Sequence, residues 1–290
     1  TYGAHCYAST NLYAWEDKGI ALYPHNIMPE KLNALGNQIV HNLDNLKELK
    51  RRANLQKKGI RTRSTQKLPN IINKNIYVFT DEDIDIARNF LRPYVTEIDK
   101  DGNFVKYDER NLITGFTNLY KTYCVVSRPK FLYNRKYNNY VLLFHADGPL
   151  DRDVIKWIND GMPEYFGYGI YNRAMIGFAV SDNPFGPYKL VNVQRMHHGD
   201  GWYSEDYGQA RDMGTYIDYN EEDSEDIAYV FYSSENNKYM YISRLDDTYT
   251  TWSRVQGEAR DGYEFKARVL GDSTNREAPA IFRHKGYYYL

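Results

Sequence analysis

The feature that most constrains this fold is a recurrence of two kinds of strand-like segment along the chain. The first kind is an arginine-led strand, a turn, then an aromatic strand. It runs Arg128-Pro129-Lys130-Phe131-Leu132-Tyr133, turns from Asn134 to Asn139, and returns as Tyr140-Val141-Leu142-Leu143-Phe144. It recurs as Arg211-Asp212-Met213 leading to Tyr216-Ile217, an acidic turn from Asn220 to Asp226, then Ile227 to Tyr232. A third copy is Arg276-Glu277-Ala278-Pro279-Ala280-Ile281-Phe282, a turn from Arg283 to Gly286, then Tyr287 to Leu290. The second kind is a short strand ending in serine, a polar turn, an aromatic and another strand. Its copies start at Ser9 (through Trp15 to Leu22), Ser181 (through Tyr188 to Val191) and Ser243 (through Trp252 to Val255). Joined in order, the two kinds give a four-stranded unit, and four-stranded units repeated along a chain are the blades of a β-propeller. The expected architecture is therefore all-β, a single propeller domain over residues 1–290. It holds the end of one blade (about residues 3–23), two full blades and the start of another. A β-sandwich is the structural alternative, but it does not account for the arginine-led recurrence.

Residues 24–121 do not fit the repeat. Apolar residues at Leu32, Leu35, Ile39, Leu43, Leu46 and Leu49 have helical spacing over Pro29–Leu55. Asp81–Leu91 is a second helical candidate, with Thr80 as N-cap and Pro93 beyond its end. The segment reads as a partly helical insertion between two blades. Its basic stretch, Arg51 to Lys67, lacks interleaved aromatics and reads as a solvated face rather than a nucleic-acid surface.

The formal net charge is -1, so no global field favours nucleic acid or an anionic membrane. No apolar run approaches the roughly 18 residues of a membrane span. Aromatic content is 16%, with 29 tyrosines; tyrosine suits strands and, through its flat face and polar tip, sugar surfaces. Cys6 and Cys124 are the only cysteines, which excludes a dense disulfide framework and leaves a single bridge allowed but not implied. Thr1 is not a natural start, and Leu290 stops in an apolar run. The chain is thus expected to be an excerpt of a longer protein, secreted or periplasmic, whose signal peptide has been removed.

In a propeller the first strand of each blade lines the central channel. Arg211-Asp212 and Arg276-Glu277 fall at corresponding places in successive repeats, so their two carboxylates are expected to face each other there. Glycoside hydrolysis needs such a pair, one proton donor and one group that activates water or attacks carbon. A donor keeps its proton near neutral pH through burial or a neighbouring carboxylate. The competing reading is that each acid merely pairs with an adjacent or facing arginine.

At these residues the chain resembles glycoside hydrolase family 43, most of all its exo-β-1,3-galactanase branch. The stretches that carry the resemblance are residues 5–22, Arg128-Pro129-Lys130 through Phe144-His145-Ala146-Asp147, Gly177 to Tyr188, Arg211-Asp212-Met213 with Tyr232-Ser233-Ser234-Glu235-Asn236, and Arg276-Glu277-Ala278-Pro279. They cover about two-thirds of the chain, everything but the insertion. The resemblance implies a five-bladed propeller, with first and last blades incomplete here, and an inverting mechanism. It makes Glu277 the general acid and Asp212 the residue that orients it and tunes its proton affinity. Members of the branch often carry a glutamate just before Arg-Pro-Lys, where this chain has Ser127. The base is expected on a first- or last-blade segment outside this chain.

Arg128, Ser127, His145, Glu235, Trp202 and Tyr203 complete the candidate sugar-binding set. His145 and Glu235 read equally well as structural, and Trp202 and Tyr203 lie in a glycine-flanked loop entering the third blade. His197-His198 resembles a metal pair, but adjacent strand residues face opposite ways. No phosphate-binding glycine pattern or Ser/His/Asp arrangement is present. No cofactor is required, and a structural calcium is compatible with the sequence without being indicated by it. The expected activity is an exo-acting glycosidase on polysaccharide ends or side chains, a β-galactosidase of the β-1,3-galactanase kind. The alternatives are an α-L-arabinofuranosidase or β-xylosidase on the same scaffold, or a carbohydrate-binding propeller without catalysis.

Overall fold

The run Tyr140-Val141-Leu142-Leu143-Phe144-His145-Ala146 has no polar face, and the structure explains why. In the computed structural model it lies in β4 (Asn139–Asp147), buried on both sides. Val141 and Leu143 point into one core with Leu132, Ile176, Phe178, Met213, Ile217, Val230 and Tyr232. Leu142, Phe144 and Ala146 point into another with Ala4, Cys6, Ala21, Leu22, Met175, Tyr188 and Val193. Successive side chains of a strand take opposite faces, so a strand between two packed layers must be apolar throughout. Each fully buried Leu, Val or Phe contributes about 1.5–3 kcal/mol relative to exposure.

The structure describes residues 3–22, 125–163, 167, 169–196, 208–219, 226–253, 263–268 and 277–290, with isolated positions Gly36, Asn37, Ile39, His41, Asp44, Lys58 and Gly115. Four antiparallel sheets follow one another. A hairpin pairs β1 (Ala4–Ala8) with β2 (Glu16–Leu22). A first four-stranded meander runs β3 (Val125–Asn134), β4, β5 (Met175–Ser181), β6 (Lys189–Gln194), with helix α1 (Asp151–Asn159) between β4 and β5. A second runs β7 (Arg211–Asp218), β8 (Ile227–Ser234), β9 (Tyr239–Arg244), β10 (Tyr263–Arg268). A second hairpin pairs β11 (Phe282–His284) with β12 (Tyr287–Tyr289).

The expected four-stranded units are thus present twice in full and twice in part, stacked in chain order. The fourth strand of the second unit does not follow Trp252 directly, as the sequence suggested, but lies at Tyr263–Arg268. Trp252 instead bridges back to Leu245. Asp246 Oδ1 accepts the Thr250 and Thr251 amides at 3.0 and 3.3 Å, closing residues 245–252 into a tight turn. Of the insertion, only Gly36, Asn37, Ile39, His41 and Asp44 within Pro29–Leu55 are described and helical; the Asp81–Leu91 helix lies outside the described residues. Cys6 is a buried free thiol.

Side-chain contacts tie neighbouring sheets together. The Asn134 amide donates to the Asp247 carbonyl at 2.7 Å, and Lys136 and the Tyr137 hydroxyl both reach Asp247 Oδ2. Arg135 pairs with Asp226. On the other side of the second meander, Arg283 bonds Asp218 Oδ1 at 3.0 Å, and the Tyr288 hydroxyl donates to Asp218 Oδ2. Two glycines permit the closest approaches. A Cβ on Gly177 would sit 2.2 Å from the Phe144 ring that lies over it. One on Gly214 would sit 2.4 Å from the carbonyl oxygen of Pro279, in the segment leading to β11.

Candidate active site

The first strands of the two meanders carry the same defect. In β3, Ser127 pairs with His145 and Lys130 with Leu143. In β7, Arg211 pairs with Ser233 and Gly214 with Phe231. Each first strand therefore holds one extra residue at the same register, a β-bulge. The residue after Ser127 is left-handed (Arg128, φ 54), and so is the residue after Arg211 (Asp212, φ 47). The third copy repeats the conformation one residue after Glu277, at Ala278 (φ 56). Pro129 and Pro279 each follow the left-handed residue.

This shifts the arginine-led alignment by one position. Asp212 corresponds to Arg128 and Ala278, while Glu277 corresponds to Ser127 and Arg211. Sequence likeness had matched arginine to arginine, because a bulge's backbone conformation leaves no residue signature when the left-handed position holds Arg, Asp or Ala rather than glycine. Such φ values in non-glycine residues cost of order 1 kcal/mol or more and cluster at functional sites.

The bulges bring the side chains together. Arg128 Nε lies 2.7 Å from Asp212 Oδ1, joining β3 to β7. The Asp212 side chain is 11% exposed and that of Arg128 45%, so Arg128 presents a charged edge to solvent while its partner sits deeper. The facing-arginine pairing weighed from sequence thus exists for Asp212. Lys130 is in the same field: burial, and then the Arg128 charge, push its ammonium below the ordinary lysine range.

Arg211 uses its guanidinium on neutral partners, donating to the Tyr171 carbonyl at 2.6 Å and to Asn236 Oδ1 at 3.4 Å. Glu277 accepts a 2.6 Å hydrogen bond at Oε1 from Asn237 Nδ2. The Asn236 and Asn237 contacts both come from one turn, residues 235–238 between β8 and β9. Glu235, Asn236 and Asn237 are all left-handed there, with φ of 46, 54 and 65.

Behind these groups lies a buried polar layer. His145 is 3% exposed and Asp147 0%. His145 Nε2 is 2.9 Å from Asp147 Oδ2, an electrostatic contact without hydrogen-bond alignment. Asp147 Oδ1 accepts the Gly148 and Ala174 amides at 2.7 and 2.9 Å. Fully buried Arg173 donates to the Asp147 carbonyl, and Arg195 donates to the Arg173 carbonyl. This layer fixes the 171–174 segment, so that the Tyr171 carbonyl meets Arg211 and the Tyr171 ring stacks near His145, centroids 6.4 Å apart. Glu235, 7% exposed, accepts from the Tyr241 hydroxyl at 3.1 Å. His145 and Glu235 are thus both buried beneath these groups, Glu235 to the same degree as Asp212.

The structure therefore gathers Ser127, Arg128, Asp212 and Arg211 on the bulged strand starts, and Glu277 against the 235–238 turn. Trp202, Tyr203, His197, His198 and Arg276 lie outside the described residues. Among the described residues no group of three or more His, Cys, Asp or Glu side chains gathers as a metal site. No described helix is long and apolar enough to cross a membrane. Sequence reasoning missed Asn237 and Tyr171. Asn237 directly follows the Ser-Ser-Glu-Asn motif, and its turn position was the available signal; Tyr171 had none.

No family model and no curated protein matches the sequence. Solved structures do. The likeness is to glycoside hydrolases of family 43, including exo-β-1,3-galactanases and β-1,3-galactosidases. The chain is similar to an exo-β-1,3-galactanase from Phanerochaete chrysosporium solved with galactose, at 27% identity over 57% of this chain and 28% of that one, TM-score 0.37. It is similar to a family 43 β-1,3-galactosidase solved with galactodeoxynojirimycin, at 20% identity over 98% of this chain and 58% of that one, TM-score 0.45. It is also similar to an exo-β-1,3-galactanase from Clostridium thermocellum, at 20% identity over 57% of this chain and 29% of that one, TM-score 0.39. The chain spans little more than half the length of the longest-covered of these structures, and under a third of the others.

Proposed function

We propose that this chain is the catalytic part of a five-bladed propeller glycoside hydrolase, exo-acting and inverting, of the β-1,3-galactanase kind, working outside the cytoplasm. The observation that carries the reading is the placement of Asp212 and Glu277. They sit one register position apart at the starts of consecutive repeats, and among the described residues each meets a polar side chain, Arg128 for Asp212 and Asn237 for Glu277. Glu277 is solvent-exposed, outside any strand, and has one oxygen fixed by a donor. That suits a proton donor to a glycosidic oxygen. Asp212 is largely buried and tied to Arg128 through Oδ1, which fixes its charge and suits a residue that orients the acid and tunes its proton affinity. An inverting reaction also needs a water-activating group on the other face of the sugar, with roughly 6.5–9.5 Å between the two working carboxyls. Asp212, held by Arg128, is not assigned that part. The substrate is a polysaccharide or oligosaccharide end.

A sugar-binding propeller without catalysis is the second reading. Ser127 favours it, because the position equivalent to Glu277 in the first full repeat carries a hydroxyl where the resemblance implies a carboxylate. A screen of the purified protein against aryl β-galactosides, α-L-arabinofuranosides, β-xylosides and β-1,3-galactan tests the proposal. Release of galactose from β-1,3-galactan is expected. Binding of galactan without turnover of any substrate would leave the second reading in its place.

A further inference from the structure

We propose that Asn237 is the positioning residue that determines which oxygen of Glu277 carries the catalytic proton. The inference rests on the reading of Glu277 as general acid. Glu277 stands in an irregular segment, exposed, on a side chain with three rotatable bonds. Left to itself such a carboxyl samples many orientations, and ordering it costs conformational entropy. Asn237 Nδ2 donates to Oε1 at 2.6 Å. A carboxyl oxygen that accepts this bond is not the one carrying hydrogen, so in the protonated acid the hydroxyl is Oε2. The same bond serves the other half of the cycle. When the proton has passed to the leaving oxygen, Nδ2–H faces a carboxylate, and a hydrogen bond to an ionised acceptor is stronger than one to a neutral carboxyl. Asn237 thus stabilises the charge that develops as the bond breaks, more than it stabilises the resting state.

The turn is built to hold Asn237 there. Three successive non-glycine residues in the left-handed region are unfavourable, and such strain persists only where surrounding contacts over-determine it. Here the Asn236 amide donates to Gln209 Oε1 at 2.9 Å, Arg211 donates to Asn236 Oδ1, the Tyr241 hydroxyl donates to Glu235 Oε1, and the Lys238 amide returns to the Glu235 carbonyl at 3.3 Å. Among the described residues Asn237 Oδ1 is buried without a hydrogen-bond partner, while its amide nitrogen is aimed at Glu277.

The test compares Asn237→Gly and Asn237→Asp with the wild type on two substrates, β-galactosyl fluoride and β-1,3-galactobiose. Fluoride leaves without proton assistance, whereas the sugar alkoxide needs the acid. Glycine accepts the φ of 65 and deletes the amide; aspartate keeps the shape and loses the donor. Both variants should lose about 10- to 100-fold in kcat on galactobiose, a part of the roughly 10²- to 10⁴-fold that general acid–base catalysis supplies. KM and turnover of the fluoride should stay within about threefold, and the thermal melts should be near wild type. Equal losses on both substrates, or an Asn237→Asp that keeps full galactobiose activity, would overturn the proposal. Glu277→Gln separates the two levels of the argument. If Glu277→Gln shows the leaving-group split and Asn237→Gly does not, only the positioning role fails. If wild type cleaves neither substrate, or Glu277→Gln shows no split, the reading of Glu277 fails and the proposal with it.

Discussion

Gly214→Ala is the perturbation that most directly probes how the fold sets the site. Gly214 lies in β7, paired with Phe231, two residues beyond Asp212. Its backbone is ordinary strand, so alanine brings no conformational strain; the difficulty is space. The new Cβ would meet the Pro279 carbonyl oxygen at 2.4 Å, where ordinary contact begins at 3.4 Å. Pro279 presents backbone there, so no side-chain rotation relieves the clash. The segment carrying Glu277 must retreat by about 1 Å, a displacement that costs on the order of 10²-fold in rate when it misplaces a catalytic group. Overpacking of this kind costs about 1–3 kcal/mol, which for a domain of this size lowers Tm by about 2–10 °C. Differential scanning calorimetry and kcat on β-1,3-galactobiose read the two effects. Gly214→Ser should behave at least as badly. An alanine variant with wild-type Tm and wild-type turnover would refute the close packing of the 277–281 segment on β7 and the idea that β7 positions the acid.

Arg128→Met leaves a mostly buried Asp212 carboxylate without its partner. With Arg128 itself nearly half exposed, solvent screening reduces the cost below that of a fully buried pair, to about 1–2 kcal/mol. Asp212→Asn in the same molecule should recover much of it, and a double-mutant cycle by urea denaturation measures the coupling; simple additivity of the two losses would contradict the pairing. Tyr249, 3% exposed, has its phenol pushed up to about 12 by burial and then by Asp226. A raised folded value means its stabilising contribution is complete below pH 10 and is lost as pH rises through about 12. Tyr249→Phe should therefore flatten the alkaline fall in Tm over that window, and an unchanged slope would count against it.

Much of the fold was legible because it rests on side-chain chemistry that repeats. The two-faced burial of Val141 to Ala146 requires an apolar run, and the turn between Asn134 and Asn139 is marked by its polar residues. The site was legible in composition but not in register. Arg211 and Arg276 look equivalent in sequence, yet the bulges set Asp212 beside Arg128 and Glu277 level with Ser127 and Arg211. The left-handed residues that create this offset are Arg, Asp and Ala, none of which announces a positive φ. The Asn237–Glu277 bond was hidden for a different reason. It joins residues 40 apart, from a hairpin turn to an irregular segment, and no local pattern encodes a contact between repeats. The fourth strand of the second meander was misplaced because the Asp246-capped turn absorbs Trp252 before the strand begins.

If Glu277 is the proton donor of an inverting glycosidase, proton NMR of the anomeric signals during β-1,3-galactobiose hydrolysis should show α-galactose appearing first from the non-reducing sugar and then mutarotating to the equilibrium mixture. Glu277→Gln should release no galactose from this substrate while still binding it. Initial release of β-galactose, or undiminished hydrolysis by Glu277→Gln, would contradict that role.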